Sequence, residues 1–116
     1  MSMEADIRKH ELLREGVRTG FKTLFVQARQ IWGADHLTLD QIVVRLMVGV
    51  GDIARVARDG GIDGTNHVRC LELKKELGNV LFSVIRWIDD LGLDPMECLD
   101  LAIDAQEKFA KSGRPR

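Results

Sequence analysis

The chain has 116 residues, with 17 Lys and Arg against 18 Asp and Glu, a formal net charge of -1. A nearly neutral chain has no strong electrostatic attraction to nucleic acid or to an anionic membrane, so neither is an expected partner. Two prolines, 5% aromatic residues and no Tyr disfavour a many-stranded β domain. The 45% hydrophobic content is enough for one folded core, and we expect a single helical domain over residues 1–116.

The cysteine content and the apolar segments both bear on location. Cys70 and Cys98 are too few for a disulfide framework and are typical of a reducing compartment. Residues 1–10 are charged and lack the apolar region of a signal peptide. The longest apolar stretch, 42–51, is interrupted by Arg45 and is shorter than the ~20 residues that span a bilayer. We predict a cytoplasmic protein that does not enter a membrane.

The first predicted helix runs from Met3 to Trp32, because apolar residues recur there at steps of three and four. Ser2 is a candidate N-cap, whereas Gly16 and Gly20 weaken the helix and are candidate break points.

The second and third helices have clear boundary signals. Thr38 and Gln41 have the spacing of a capping box, and the glycines after Asp59 end the second helix. The third helix begins near residues 65–66 and ends at Gly92. Its main apolar stripe, which we expect to face the core, comprises Leu73, Leu77, Val80, Leu81, Val84, Ile88 and Leu91.

The fourth helix begins with Asp94 as its cap and Pro95 in its first turn, with Glu97 placed to complete a capping box. It runs to about Lys111 and ends at Gly113. No segment alternates with the period of a β-strand. The expected architecture is therefore an all-α, antiparallel four-helix bundle.

Two of these helices also carry a polar stripe. In the second it comprises Arg45, Gly49, Asp52 and Val56, and in the third Glu72, Glu76, Asn79 and Ser83. If the two helices are antiparallel neighbours, Asp52, Glu76 and Asn79 converge and offer the oxygen ligands that Mg²⁺ prefers. The alternative is that each stripe is simply a solvated helix face, which is the more usual role of such a pattern.

Two segments resemble motifs of the MazG-like all-α nucleotide pyrophosphohydrolases. Residues 48–54, VGVGDIA, resemble the family's EExxE motif, and residues 72–81, ELKKELGNVL, resemble its ExxD motif. The following segment, 86–95, resembles the turn into the family's last helix, and the similarity covers about residues 37–111.

The resemblance implies cleavage of a (deoxy)nucleoside triphosphate to a monophosphate and pyrophosphate, with Mg²⁺ as cofactor. It implies that Asp52 and Glu76 are catalytic metal ligands, with Asn79 as a further ligand; Glu72, one turn before Glu76, is placed to act as an additional ligand that compensates in part for the lost charge. It also implies stacking of a base on Trp32 and a phosphate contact from Lys108. For Trp32 the alternative is a buried position between the first helix and the bundle.

Three acidic positions of the family are changed here. Val48 and Gly49 stand where the family has two glutamates, and Asn79 stands where it has aspartate. Because ligand charge tunes affinity for hard cations, we expect weak Mg²⁺ binding and slow or absent hydrolysis. The alternative function is a catalytically degenerate relative that acts as a nucleotide-binding or protein-interaction module.

Self-association is expected on two grounds. The resemblance implies dimers or dimers of dimers, and the central helices carry apolar residues outside their main stripes. In the third helix these include Trp87, which we interpret as core or dimer interface. Further such residues are Met47, Val48, Phe82 and Ile85.

The sequence patterns for a calcium, zinc, nucleophilic or DNA-binding site are weaker. The segment 59–64 is similar to the start of a calcium loop but lacks ligands at its third and twelfth positions, Gly61 and Cys70. His67 and Cys70 have no second pair at zinc-site spacing, and no Cys–His nucleophile pair stands out. The basic residues of the first helix are spread around it, so no DNA-recognition helix is apparent.

Overall fold

The structure is a computed structural model that describes residues 2–59 and 67–113. It contains four helices: α1 (Met3–Trp32), α2 (Leu39–Arg58), α3 (His67–Asp90) and α4 (Pro95–Lys111). The described residues contain no β-strand, which confirms the all-helical prediction. The predicted start of the third helix at 65–66 and most of the calcium-loop-like segment lie outside the described residues.

The N-terminal caps of α1 and α2 form as predicted. The Ser2 side chain accepts a backbone N–H of the first turn of α1. At α2 the Thr38 hydroxyl accepts the Gln41 N–H at 3.3 Å, and the Gln41 side chain accepts the Thr38 N–H at 3.0 Å. Helix α1 continues through Gly16 and Gly20 without a break, so the expected weak points do not interrupt it.

The two ends of the α3–α4 connection are set by Gly92 and Asp94. Gly92 has a φ of 68°, a left-handed conformation that glycine adopts without a steric penalty. The Asp94 carboxylate accepts the Met96 N–H at 2.9 Å, two residues ahead. This local turn replaces the predicted capping box with Glu97, because a short aspartate side chain reaches the second N–H readily.

Helix α3 is the centre of the fold and packs against both α1 and α2. Arg29 of α1 pairs with Asp89 of α3 at 2.6 Å, whereas Trp32, further along α1, meets Phe82, which lies earlier in α3. The two helices are therefore antiparallel.

Helix α4 packs against α1 and pairs with residues near the middle of that helix. Arg14 forms a two-pronged ion pair with Asp100, at 2.8 and 3.1 Å, and Arg18 lies 3.5 Å from Asp94. These pairs make α4 antiparallel to α1. They also leave the α4 residues from 101 onward exposed.

The inward face of α3 differs from the predicted one. Ile85 and Trp87 are buried, whereas four residues of the predicted main stripe are between 36% and 64% exposed, namely Leu77, Leu81, Val84 and Leu91. Helix α3 is apolar on more than one face. Periodicity shows that such faces exist but cannot show which of them packs against the same chain.

The chain is less compact than is usual for its length. Its radius of gyration is 17.8 Å, against about 13 Å for a compact chain of this size. Its accessible surface is 9078 Å², against about 6,400 Å² expected for a compact monomer of its mass. Among the described residues, no helix is both long and apolar enough to cross a membrane.

Candidate functional site

A cavity of about 490 Å³ lies where the C-terminal end of α1 meets the middle of α2 and α3. Asp52, Glu76 and Asn79, from the two polar stripes, all line it together with Trp32. Its volume falls within the range of small-molecule sites. The structure therefore brings the polar stripes of α2 and α3 to one concave surface, where a ligand can reach them.

Gly49 lets α2 approach α3 closely beside this cavity. A Cβ atom built at Gly49 would lie 3.0 Å from the Val80 Cγ2 atom. A larger residue at this position must displace the valine side chain. Gly49 thus has a packing role between α2 and α3.

The two carboxylates of the cavity have different environments. Asp52 is 43% exposed in its side chain and lies 3.8 Å from the Arg55 guanidinium, one turn along α2. Glu76 is buried, and its carboxylate is 3.4 Å from the ammonium group of the neighbouring Lys75. Because a buried charge is costly without a partner, Lys75 offsets part of the cost of burying Glu76.

Trp32 lies at the edge of the cavity and is 55% exposed. Its ring is tilted by 42° to that of Phe82, with the centroids 5.6 Å apart. The alternative prediction that Trp32 is a buried core residue is therefore wrong, because only part of its surface is covered. Trp87, by contrast, is buried within the chain and lines the same cavity.

Arg86 is a cavity-lining residue whose role was missed in the sequence. Its Nη1 donates to the carbonyl oxygens of Ala28 at 3.1 Å and Gly33 at 2.9 Å, and its Nη2 donates to that of Asp35 at 2.7 Å. Its Nε donates to Asp90 Oδ1 at 2.9 Å. One buried guanidinium thus satisfies the carbonyl groups at the end of α1 and fixes the segment that carries the tryptophan.

Asp90 completes this buried cluster. Its side chain is fully buried, and Oδ1 also lies 3.3 Å from the His36 Nδ1 atom. The second oxygen, Oδ2, is buried without a hydrogen-bond partner. The i,i+4 spacing of Arg86 and Asp90 was visible in the sequence and was the available signal for this cluster.

Arg45 also lines the cavity and belongs to the predicted polar stripe of α2. Its side chain is exposed. Across the part of the chain that the structure describes, it makes no ion pair and no hydrogen bond, whereas the guanidinium of Arg86 is fully engaged.

Two predicted site residues lie outside the cavity. Lys108 is exposed on α4 and pairs with Asp104 at 3.0 Å. Glu72 is exposed on α3, one turn before Glu76, and does not line the cavity. The structure therefore does not bring Lys108 or Glu72 together with the other candidates.

The carboxylates that line the cavity determine how well it suits the Mg²⁺ that the resemblance implies. Within residues 2–59 and 70–113, no group of three or more His, Cys, Asp or Glu side chains is placed to hold a metal ion. Asp52 and Glu76 are two carboxylates, the number that often holds a Mg²⁺ whose other ligands are phosphates and waters. The set suits an ion that arrives on a ligand's phosphates better than one held by the protein alone.

Comparisons with models of known protein families, with curated proteins and with solved structures gave no match.

Proposed function

We propose that this cavity binds a nucleotide and that the chain is a nucleotide-binding bundle of the MazG-like type. The observation that carries the proposal is that one cavity is lined by an exposed indole, Trp32, and by a guanidinium that has no ion-pair partner among the described residues, Arg45. An aromatic ring stacks on a base, and a guanidinium binds phosphate oxygens. The sequence resemblance to the MazG-like family supports the same ligand class.

Hydrolysis is a second candidate, favoured by the two carboxylates that line the same cavity. Asp52 and Glu76 would hold a Mg²⁺ carried by the triphosphate, and that ion supplies charge neutralisation and a more acidic bound water. Their own contribution is to orient the phosphate chain against α2 and α3. With Val48, Gly49 and Asn79 at the family's acidic positions, we expect cleavage to monophosphate and pyrophosphate to be slow.

Isothermal titration with each nucleoside triphosphate, with and without Mg²⁺, tests both candidates when pyrophosphate release is measured in parallel. Binding with release supports the hydrolase, and binding without release supports the binding module. Absence of both would refute the nucleotide proposal and leave a protein-interaction role. Trp32→Leu should weaken binding, whereas Lys108→Gln, outside the cavity, should leave it unchanged.

We also propose that the chain forms a homo-oligomer through its exposed apolar faces. Its accessible surface of 9078 Å² exceeds that of a compact monomer by roughly 2,700 Å². A standard protein–protein interface buries about 1,200–2,000 Å² in total, so the excess is enough for one. The exposed stripe of α3 that includes Leu77 and Leu81 is a suitable surface, because a second copy offers a matching apolar face.

Light scattering at micromolar concentration tests this assembly. Leu81 is 64% exposed, and Leu81→Glu should dissociate the oligomer by placing a charge in the interface. Leu81→Met keeps the apolar surface and should leave the assembly intact. A monomeric parent protein would refute the proposal.

A cytoplasmic location completes the proposal. Its support is the pair of free thiols, Cys70 and Cys98, which are typical of a reducing compartment. Fractionation of cells that express the tagged chain tests it, and recovery from the membrane or the medium would contradict it.

A further inference from the structure

We propose that Arg45 binds the phosphates of the ligand directly, so that a nucleotide occupies this cavity without Mg²⁺. The inference rests on the proposed nucleotide-binding function and adds the group that holds the phosphates. It differs from the role implied by the family resemblance, in which a metal ion holds them.

Arg45 is the cavity cation that remains available for a ligand. Arg86 lines the same cavity, but its guanidinium is buried and paired with Asp90 at 2.9 Å. Arg45 is exposed and has no ion-pair or hydrogen-bond partner among the described residues. A guanidinium whose five N–H groups are free binds phosphate oxygens in two-pronged fashion.

The residues one turn after Arg45 include no carboxylate that pairs with it. On a helix, carboxylates at i+3 and i+4 are the natural partners of an arginine. Those positions hold Val48 and Gly49, and Val48 is 61% exposed and lines the cavity. The same substitutions that remove metal ligands therefore leave an arginine free to bind an anion.

The cavity is also lined by opposite charges at two separate positions along α2. Asp52 lies seven residues after Arg45, which corresponds to about 10 Å along the helix axis. The phosphates of a ligand held by Arg45 are thus separated from this carboxylate, which is itself 3.8 Å from Arg55. At its own end, Asp52 accepts hydrogen bonds from hydroxyl or amino groups. The arrangement suits a ligand with phosphates at one end and hydrogen-bond donors at the other.

The test measures the affinity for ATP, GTP, CTP and UTP in the presence of EDTA. The parent protein should bind at least one of them, and Arg45→Gln should weaken that binding tenfold or more, because a charge-assisted contact is lost. Arg58→Gln is the matched control: it removes the same charge from an exposed position of α2 outside the cavity and should have no effect. Helical circular dichroism establishes that each variant is folded.

A second variant tests the role of Arg45 without replacing the arginine itself. Val48→Glu places a carboxylate at i+3 from Arg45, so it should weaken binding in EDTA by pairing with the guanidinium. If Arg45→Gln does not fold, Arg45→Lys takes its place, because lysine keeps the charge but loses the two-pronged contact of a guanidinium.

The outcomes separate the inference from the function on which it rests. Binding in EDTA that Arg45→Gln and Val48→Glu leave unchanged would overturn the role of Arg45 while the nucleotide site stands. Binding that requires Mg²⁺ would overturn it in the same way. No binding under either condition would overturn the proposed function and the inference together.

Discussion

Arg86 and Asp90 form a salt bridge of 2.9 Å between side chains that are 4% and 0% exposed. The pair joins α3 to the end of α1, because the same guanidinium also donates to three carbonyl groups of residues 28–35. The position of Trp32 at the edge of the cavity therefore depends on a buried ion pair, one member of which, Arg86, also lines the cavity.

Removal of this arginine should be strongly destabilising. Arg86→Met leaves Asp90 buried without its partner, and breaking a buried pair from one side costs about 3–5 kcal/mol. Urea denaturation measures the loss. The control is Arg29→Met, which breaks the more exposed pair with Asp89 and should cost clearly less, because solvent screens the charge of Arg29. Equal losses in the two variants would show that Arg86 does not hold the fold together.

The close approach of Gly49 to Val80 predicts the cost of a restored glutamate at position 49. Gly49→Glu should destabilise the fold by about 1–3 kcal/mol through overpacking, offset by up to ~1 kcal/mol from removal of a helical glycine. Gly51→Glu is the matched control, because a Cβ at Gly51 meets nothing within 4 Å. Thermal unfolding compares them. If Gly49→Glu is no less stable than Gly51→Glu, the two helices do not approach closely at this point.

Two acidic residues introduced at the cavity should create a metal response. Val48 and Asn79 are both exposed at the cavity, so Val48→Glu with Asn79→Asp adds two negative ligands without the contact that affects position 49. The melting temperature of this double variant should rise with Mg²⁺ more than that of the parent, because an ion that binds the folded state stabilises it. An equal rise in both proteins would place any metal site elsewhere.

The contact between α1 and α4 should weaken in acid. The hydrogen bond and charge of Arg14 lower the pKa of Asp100, with Arg18 and His10 acting in the same direction. A lowered pKa in the folded state means that the stabilisation is present above the unfolded value and is lost as the pH falls through the folded value. The protection factors of the α4 amides, which correct for the intrinsic pH dependence of exchange, should therefore fall below about pH 4, and this fall should be absent in Asp100→Asn. Identical profiles would contradict the role of this pair.

The helix ends were predictable because their signals are local. The Thr38–Gln41 capping box and the left-handed glycines Gly92 and Gly113 act within a few residues of the ends that they define. The shared cavity of Asp52 and Asn79 was likewise predictable, since residues on one face of each helix meet when the helices are neighbours.

The parts that could not be predicted depend on distant contacts. Arg86 binds backbone carbonyls more than 50 residues away. Because every residue has a backbone carbonyl, no sequence pattern indicates which of them a side chain binds. The outward position of Leu81 and the exposure of Trp32 depend on which apolar face of each helix packs against its own chain. The contact of Gly49 with Val80 depends on the distance between α2 and α3, which periodicity does not give.

The most direct test of the central claim is an NMR titration of the two tryptophan indole N–H resonances with a nucleoside triphosphate. Trp32→Phe assigns them, since it removes one resonance and leaves that of Trp87. A ligand that stacks on Trp32 in the cavity should shift its indole resonance in a saturable way, and Arg45→Gln should move saturation to higher concentration. If the Trp32 resonance stays unchanged to millimolar concentration with every nucleoside triphosphate, with and without Mg²⁺, the cavity is not a nucleotide site.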